Sequence, residues 1–243
     1  MLEKQIQEFK KYFEMFDTKN ENIYRKYTHS LRVMNFSLEI AKSLKLDNEI
    51  IELSGLIGLL HDIGRFEQCT KYETYSDLRS VDHAELGVEI LKKDNYINKY
   101  IEDKNSQSLI LKAIFEHNKY SINQNLTPTE ILFSNIIRDA DKLDIMENQG
   151  NKISSDIIAH DEAIQAIFEK RCCVKNKFFN EADKSLTTLC FIFDINFPYS
   201  FQYIKDKNIA NQKLQTLKNH IPSNVNFDEI EKIINEQINT RRC

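Results

Sequence analysis

Residues 58–65 read Gly-Leu-Leu-His-Asp-Ile-Gly-Arg, and they end a segment of apolar and small residues that starts at Leu53. A helix that is apolar on all sides is a buried helix, so His61 and Asp62 are expected inside the protein. An imidazole nitrogen and a carboxylate oxygen that leave one rigid point together suit a divalent cation. An isolated His-Asp pair is more often a core histidine beside a capping aspartate, so the assignment depends on the rest of the chain.

Apolar residues recur at intervals of three and four on both sides of this stretch, which is the spacing of amphipathic helices. Helices are predicted over about residues 24–44, 49–60, 81–94 and 106–117, and from Thr127 through Leu143. Thr127 is a typical helix cap, and Pro128 suits the first helical position. Because only five glycines and three prolines interrupt 243 residues, we expect an all-α protein.

The carboxy-terminal part of the chain is also predicted to be mainly helical. Residues 185–197 (SLTTLCFIFDINF) are rich in β-branched and aromatic side chains, so a short strand is the alternative there. Helix is favoured because no partner strand is visible. Gly150 and Asn151 mark the only soft boundary, and they read as an ordinary connection between helices.

One domain is therefore expected over residues 1–243, with a core over about 23–148 and a helical extension over about 151–243 that packs against it. Of the six histidines, His160 and His220 lie in the extension without carboxylate clusters. Surface positions are expected for both.

Composition excludes several classes of protein. The net charge of −4 lacks the positive field that binds polynucleotides, so no nucleic-acid polymer is expected as a partner. The longest apolar stretch is far shorter than the roughly 20 residues of a membrane span, so no membrane association is expected. The charged amino terminus argues against a signal peptide, and the five cysteines include no C-x-x-C pair. A cytoplasmic location is expected, and oligomerisation is left open.

Two further segments place polar residues on otherwise apolar helices. Upstream, residues 27–33 read Tyr-Thr-His-Ser-Leu-Arg-Val, and downstream, residues 138–144 read Arg-Asp-Ala-Asp-Lys-Leu-Asp. Burying unpaired charge is costly, and a shared metal ion would satisfy these groups together. Asp139 and Asp141 lie about 200° apart on a helix and cannot both face one ion. Apolar spacing does not decide between them.

The order and spacing of these residues resemble the HD-domain superfamily of metal-dependent phosphohydrolases, over about Ile23 to Asn148. The resemblance rests on three flanking motifs that are more specific than the His-Asp doublet alone: His-Ser-Leu-Arg-Val, His-Asp-Ile-Gly-Arg and Asp-Ala-Asp-Lys-Leu-Asp. It implies a compact helical HD-domain fold and hydrolysis of a small phosphate ester or anhydride, with a nucleotide as the favoured substrate. The resemblance favours Asp141 over Asp139, because Asp141 matches the aspartate of the family's Ala-Asp-Arg/Lys-Leu motif. The implied metal ligands are His29, His61, Asp62 and Asp141.

The implied cofactor is a divalent ion, which can be Mn, Co, Ni, Fe, Zn or Mg. Mixed nitrogen and oxygen ligands with open positions suit Mn, Co, Ni, Fe or Zn more than Ca. Asp62 is the candidate for orienting or deprotonating the attacking water. Arg65 resembles a basic position beside the metal that grips phosphate. Arg25 and Arg32 share a helix face with His29, so one of them is expected to reach substrate. The rival hypothesis is a nonenzymatic nucleotide- or metal-binding regulator, which a missing ligand would favour; none is missing.

His83 and His117 resemble the extra histidines of HD proteins that carry two metals, such as the cyclic-dinucleotide phosphodiesterases. That branch has a Gly-Tyr-Pro word after the later histidine, whereas Asn-Lys-Tyr-Ser follows His117 here. The two side chains therefore bind either a second metal or substrate phosphate. A single ion is slightly favoured, because Arg65 already supplies phosphate charge. The plain alternative is a helix-capping His83 and a surface His117.

Overall fold

In the computed structural model, residues 2–148, 157–174, 178–221 and 225–240 are described. Within these ranges every regular element is a helix and no strand occurs, which confirms the all-α prediction. The chain divides into two compact units, of which the first ends at Asp141 and the second begins at Lys142. The arrangement as one domain with an extension stays a prediction. The connection at Gly150 and Asn151 lies outside the described residues.

The first unit is built from helices that surround the end of one buried helix. In order these are α1 (Glu3–Phe13), α2 (Glu21–Ser43), α3 (Asn48–Leu60), α4 (Gly64–Tyr72), α5 (His83–Lys92), α6 (Lys104–His117) and the start of α7 (Pro128–Asn148). Short 3-10 helices cover Asp77–Arg79 and Lys93–Lys99. The sequence predicted α2, α3, α5, α6 and α7 to within a few residues. It gave no prediction of α1 or α4.

Gly58 allows α3 to lie very close to α2. A β-carbon at Gly58 would lie 2.9 Å from both the Met34 Cα and the Val33 carbonyl oxygen, so any larger residue would push the two backbones apart. The close packing brings the end of α3, which carries His61, beside the middle of α2, which carries His29.

Gly64 allows an equally close approach of α4 to α5. A β-carbon there would overlap the carbonyl oxygen of His83 and lie 2.7 Å from the amide nitrogen of Gly87. Gly64 starts α4, and none of the described glycines has a positive φ. The residue is therefore required for space, whereas the sequence suggested a place where the chain bends.

Asp82 joins the start of α5 to the end of α6. Its carboxylate caps α5 by accepting hydrogen bonds from the amides of Ala84 and Glu85, at 2.9 and 3.2 Å. The same carboxylate accepts from Asn118 Nδ2 at 2.8 Å and from Lys119 Nζ at 2.7 Å. The first residue of α5 and the last residue of α6 are consequently neighbours.

The start of α7 follows the predicted capping pattern. The amide of Glu130 donates to Thr127 Oγ1 at 3.3 Å, and the Glu130 carboxylate accepts from the Thr127 amide at 2.8 Å. Farther along, Arg138 Nη1 donates to the carbonyl oxygens of Glu116 and Lys119, at 3.2 and 2.6 Å. These bonds fix α7 against the end of α6.

The second unit is helical over its described residues, with α8 (Asp161–Phe168), α9 (Glu181–Cys190), a 3-10 helix (Phe191–Asp194), α10 (Pro198–Asp206), α11 (Ile209–His220) and α12 (Phe227–Thr240). The strand alternative for residues 185–197 is wrong. A reciprocal capping box between Asn180 and Asp183 starts a helix there, and the strand preference of the β-branched residues is overridden. No described helix has the length and apolarity needed to cross a membrane.

The two histidines of the second unit differ in exposure. His160 is exposed, as expected, and its Nδ1 lies 2.7 Å from Asp183 Oδ2. His220 is half-buried rather than fully on the surface, and its Nδ1 donates to the carbonyl of Thr216 one turn earlier in α11.

Candidate metal centre

Among the described residues, six side chains of the first unit converge at the end of α3. They come from α2, from the link between α3 and α4, from α5, from α6 and from α7: His29, His61, Asp62, His83, His117 and Asp141. Five of them are buried, and the side chain of Asp141 is 20% exposed. All six belong to the set that the sequence singled out for metal or phosphate.

The first group combines two imidazoles and two carboxylates. His29 Nε2 lies 3.2 Å from His61 Nε2, 3.1 Å from Asp141 Oδ1 and 3.4 Å from Asp62 Oδ2. His61 Nε2 lies 3.5 Å from the same oxygen of Asp62 and 3.6 Å from Asp141 Oδ1. Two nitrogens and two oxygens thus face one point.

The second group uses the other oxygen of Asp62. His83 Nε2 lies 3.1 Å from His117 Nε2, and these nitrogens lie 3.3 and 3.9 Å from Asp62 Oδ1. Asp62 therefore stands between the groups and presents one carboxylate oxygen to each. His83 is the first residue of α5, but its side chain is buried, and His117 is buried rather than on the surface.

The protons of three imidazoles are placed by their neighbours. The Nδ1 atoms of His61 and His117 lie 2.8 and 2.6 Å from the carbonyl oxygens of Gly58 and Ile114. A carbonyl oxygen can only accept, so each Nδ1 carries the proton and each Nε2 presents a lone pair. His83 Nδ1 lies 2.7 Å from an Asp77 carboxylate oxygen, which fixes the same tautomer.

The pKa values of the deeper histidines favour neutral imidazoles. Burial lowers the pKa of His117 well below its usual range, and the neighbouring His83 and His61 lower it further. Burial and the Arg65 guanidinium lower the pKa of His83, against an opposing effect of Asp77. Both imidazoles are neutral near pH 7, which is the form that binds a metal.

The carboxylates of the centre are anionic. Burial would raise the pKa of the Asp62 carboxyl, but the Lys26 ammonium and His61 hold it well below its usual range. Burial would likewise raise the pKa of the Asp141 carboxyl, but a hydrogen bond from His29 and the neighbouring His61 imidazole hold that pKa well below its usual range. Anionic oxygens and neutral imidazoles together form a donor set that attracts cations.

The spacing of the donors fits a divalent ion. His83 Nε2 and His117 Nε2 are 3.1 Å apart, and neither carries a proton. Two lone pairs at this distance repel each other, so no hydrogen bond holds them together. Ligands about 2.1 Å from one ion lie about 3.0–3.4 Å apart, which matches this spacing and the 3.2 Å between the Nε2 atoms of His29 and His61.

On α7, Asp141 is the carboxylate that faces the centre. Its Oδ1 lies 3.1 Å from His29 Nε2. Asp139 is completely buried, but among the described residues it does not belong to any group of converging donor atoms. Asp141 therefore lies where a ligand would be needed, and its role as a ligand stays a prediction.

Replacing Asp141 and Asp139 in turn tests which of the two carboxylates is the metal ligand. Asp141→Asn is expected to weaken metal binding by at least about 100-fold, because an anionic ligand becomes a neutral amide of equal volume. Asp139→Asn is the matched control on the same helix and is expected to lower the melting temperature while metal content is retained. Elemental analysis after dialysis against buffered Mn²⁺ measures the difference. The opposite ranking would move the ligand two residues upstream.

Arg65 is held by the protein itself. The two N–H groups of its Nη1 are shared among Gln68 Oε1, the Tyr75 carbonyl and Asp77 Oδ1, at 2.7, 2.6 and 2.9 Å. Its Nε lies 3.5 Å from Asp62 Oδ1. The guanidinium therefore links Asp62 to the loop that carries Asp77.

The two arginines predicted to contact substrate lie on α2. Arg25 is exposed, and its guanidinium carbon lies 5.6 Å from the centre of the Tyr75 ring. Arg32 is half-buried. Their roles in substrate binding stay predictions.

The sequence missed two residues that contact the predicted ligands, Lys26 and Asp77. Lys26 Nζ donates to Asp62 Oδ2 at 2.6 Å. A signal for it existed, since a residue three positions before His29 shares its helix face. Asp77 accepts from His83, Arg65 and Gln68, and it begins a short 3-10 helix that no apolar periodicity in the sequence predicts.

Comparison with known proteins identifies the family of the part of the chain that carries the centre. Residues 27–146 match the family model described as HD domain, so this part of the chain is an HD domain. A crystal structure of a predicted HD superfamily hydrolase from an uncultured Thermotogales bacterium is 22% identical over 85% of this chain and 91% of that one, with a TM-score of 0.41. No curated protein matches the chain.

Proposed function

We propose that the protein is a metal-dependent phosphohydrolase that acts on a small phosphate ester or anhydride, with a nucleotide as the favoured substrate. The observation that carries the proposal is the pair of unprotonated nitrogens of His83 and His117, 3.1 Å apart beside the Asp62 carboxylate. An arrangement of this kind is stable when a cation neutralises it. The HD domain over residues 27–146 supports hydrolysis as the chemistry.

The residues divide naturally between two ions. One ion would be held by His29, His61, Asp62 and Asp141, and a second by His83, His117 and the other oxygen of Asp62. The division of the Asp62 oxygens supports the second ion over the single ion that the sequence slightly favoured. When bound, divalent ions activate water and polarise a phosphoryl oxygen. The nitrogen and oxygen donors suit Mn, Co, Ni, Fe or Zn.

The roles of the remaining groups follow from their contacts. The low pKa of Asp62 makes its carboxylate a weak base, so we assign it to orienting the attacking water by accepting a hydrogen bond. Arg65 keeps Asp62 and Asp77 in place and supplies positive charge beside them. Asp77 in turn orients His83 through its Nδ1 proton.

The nucleotide as substrate rests on the resemblance to the HD superfamily. A small substrate is favoured over a polynucleotide because the net charge is −4. A cytoplasmic location stays a prediction from the composition, and the oligomeric state stays open.

The experiment that tests the proposal starts from protein stripped of metal by a chelator. We expect phosphate release from a panel of nucleoside mono-, di- and triphosphates and simple phosphate esters only after Mn²⁺, Co²⁺, Ni²⁺ or Mg²⁺ is added back. The ion should also raise the melting temperature, since a ligand at 100 times its Kd stabilises the folded state by about 2.7 kcal/mol. Metal binding without phosphate release from any compound would favour the regulator, and an unchanged melting curve would contradict the metal centre.

A further inference from the structure

Lys26 lies one turn before His29 on α2 and reaches the metal centre from the side of the first group. Its ammonium donates to Asp62 Oδ2 at 2.6 Å, and its side chain is only 16% exposed. That oxygen is also the one that faces His29 and His61, at 3.4 and 3.5 Å. A divalent ion in the first group and the Lys26 ammonium would therefore share one carboxylate oxygen.

The donors of Lys26 are not fully used by the protein. Among the described residues, its Nζ makes one hydrogen bond, to Asp62, and lies 5.6 Å from the centre of the Tyr75 ring. An ammonium has three N–H groups, so two of them remain for a ligand. Lys26 thus combines a position at the centre with spare donors.

An ion bound to Asp62 would also weaken the ion pair between Lys26 and Asp62. In the protein alone, the Asp62 carboxylate offsets the ammonium. A divalent ion on the same oxygen draws on that negative charge and repels the ammonium, so each cation weakens the binding of the other. A phosphate oxygen beside both would relieve this repulsion, because it brings negative charge and accepts the free N–H groups.

We infer that Lys26 is a phosphate-binding residue of this centre and that it makes the binding of divalent metal and of phosphate cooperative. The inference rests on the proposed function, since it takes the ion site as given. In the absence of phosphate, Lys26 competes with the metal for Asp62. In the presence of phosphate, Lys26 contacts the phosphate and no longer competes with the metal for Asp62. By linkage, the metal and the phosphate each strengthen the binding of the other.

Calorimetric titrations of the metal-free protein test this, with Mn²⁺ in the presence and absence of orthophosphate, and with orthophosphate in saturating Mn²⁺. Without phosphate, Lys26→Met is expected to bind Mn²⁺ at least about fivefold more tightly than the wild type. It is expected to bind orthophosphate at least about tenfold more weakly. The factor by which phosphate strengthens Mn²⁺ binding should fall by at least about fivefold.

Lys42→Met is the matched control, since Lys42 is an exposed lysine on the same helix that pairs with Glu39. It should behave as the wild type in all three titrations, and Lys26→Gln repeats the test with a neutral polar side chain. Orthophosphate affinity within twofold of the wild type in both Lys26 variants, or weaker Mn²⁺ binding by them, would overturn the inference. Failure of the proposed function looks different: no compound of the panel releases phosphate, while both affinities still depend on Lys26.

Discussion

Asp62→Asn is expected to lower the rate of phosphate release by at least about 1,000-fold. Its two oxygens face different donor groups, one with His29 and His61 and the other with His83 and His117. This one substitution therefore weakens the binding of both proposed ions. If the ions contribute about 4 kcal/mol to stabilising the transition state, their loss corresponds to about three powers of ten in rate.

The matched control for this change is Asp47→Asn, which makes the same substitution at an exposed residue before α3. Phosphate release at saturating Mn²⁺, metal content and circular dichroism should be measured on both variants. We expect Asp47→Asn to match the wild type, and Asp62→Asn to remain helical with little bound metal. Turnover of Asp62→Asn within tenfold of the wild type would show that hydrolysis does not depend on this carboxylate.

The helices that the sequence predicted are those with long apolar stripes between polar boundaries. The sequence gave no prediction of α1, although Phe9, Tyr12 and Phe13 lie at helical spacing and are buried. α4 was missed because Gly64 reads as a bend. In the structure a second helix begins at this glycine, and its absent side chain makes room for α5.

The candidate ligands could be predicted because histidines and aspartates on apolar helices require partners in the interior. The sequence could not predict that these ligands form two groups, one at each oxygen of Asp62. That arrangement depends on how closely α2, α3 and α5 approach one another. Gly58 and Gly64 set those approaches through contacts with distant residues. The ammonium of Lys26 and the carboxylate of Asp77 depend on the same approaches, and neither belongs to the motifs that the sequence displays.

The double variant His83→Ala/His117→Ala is expected to lower bound Mn²⁺ from about two ions per chain toward one. The first group keeps all four of its donors, so one ion should still bind and still raise the melting temperature. Phosphate release should fall by at least about 100-fold, because the loss of an ion that stabilises developing charge costs several kcal/mol.

The alternative role for these histidines makes a different prediction. If they bind substrate phosphate, bound Mn²⁺ stays unchanged in the double variant, and the loss appears as a higher KM together with a lower kcat. The control is His160→Ala/His220→Ala, which removes two imidazoles from the second unit and should leave metal content and turnover at wild-type values. The second ion is the outcome we expect, since the Nε2 atoms of His83 and His117 face each other as acceptors, and a phosphate oxygen, which is itself an acceptor, would not relieve that repulsion.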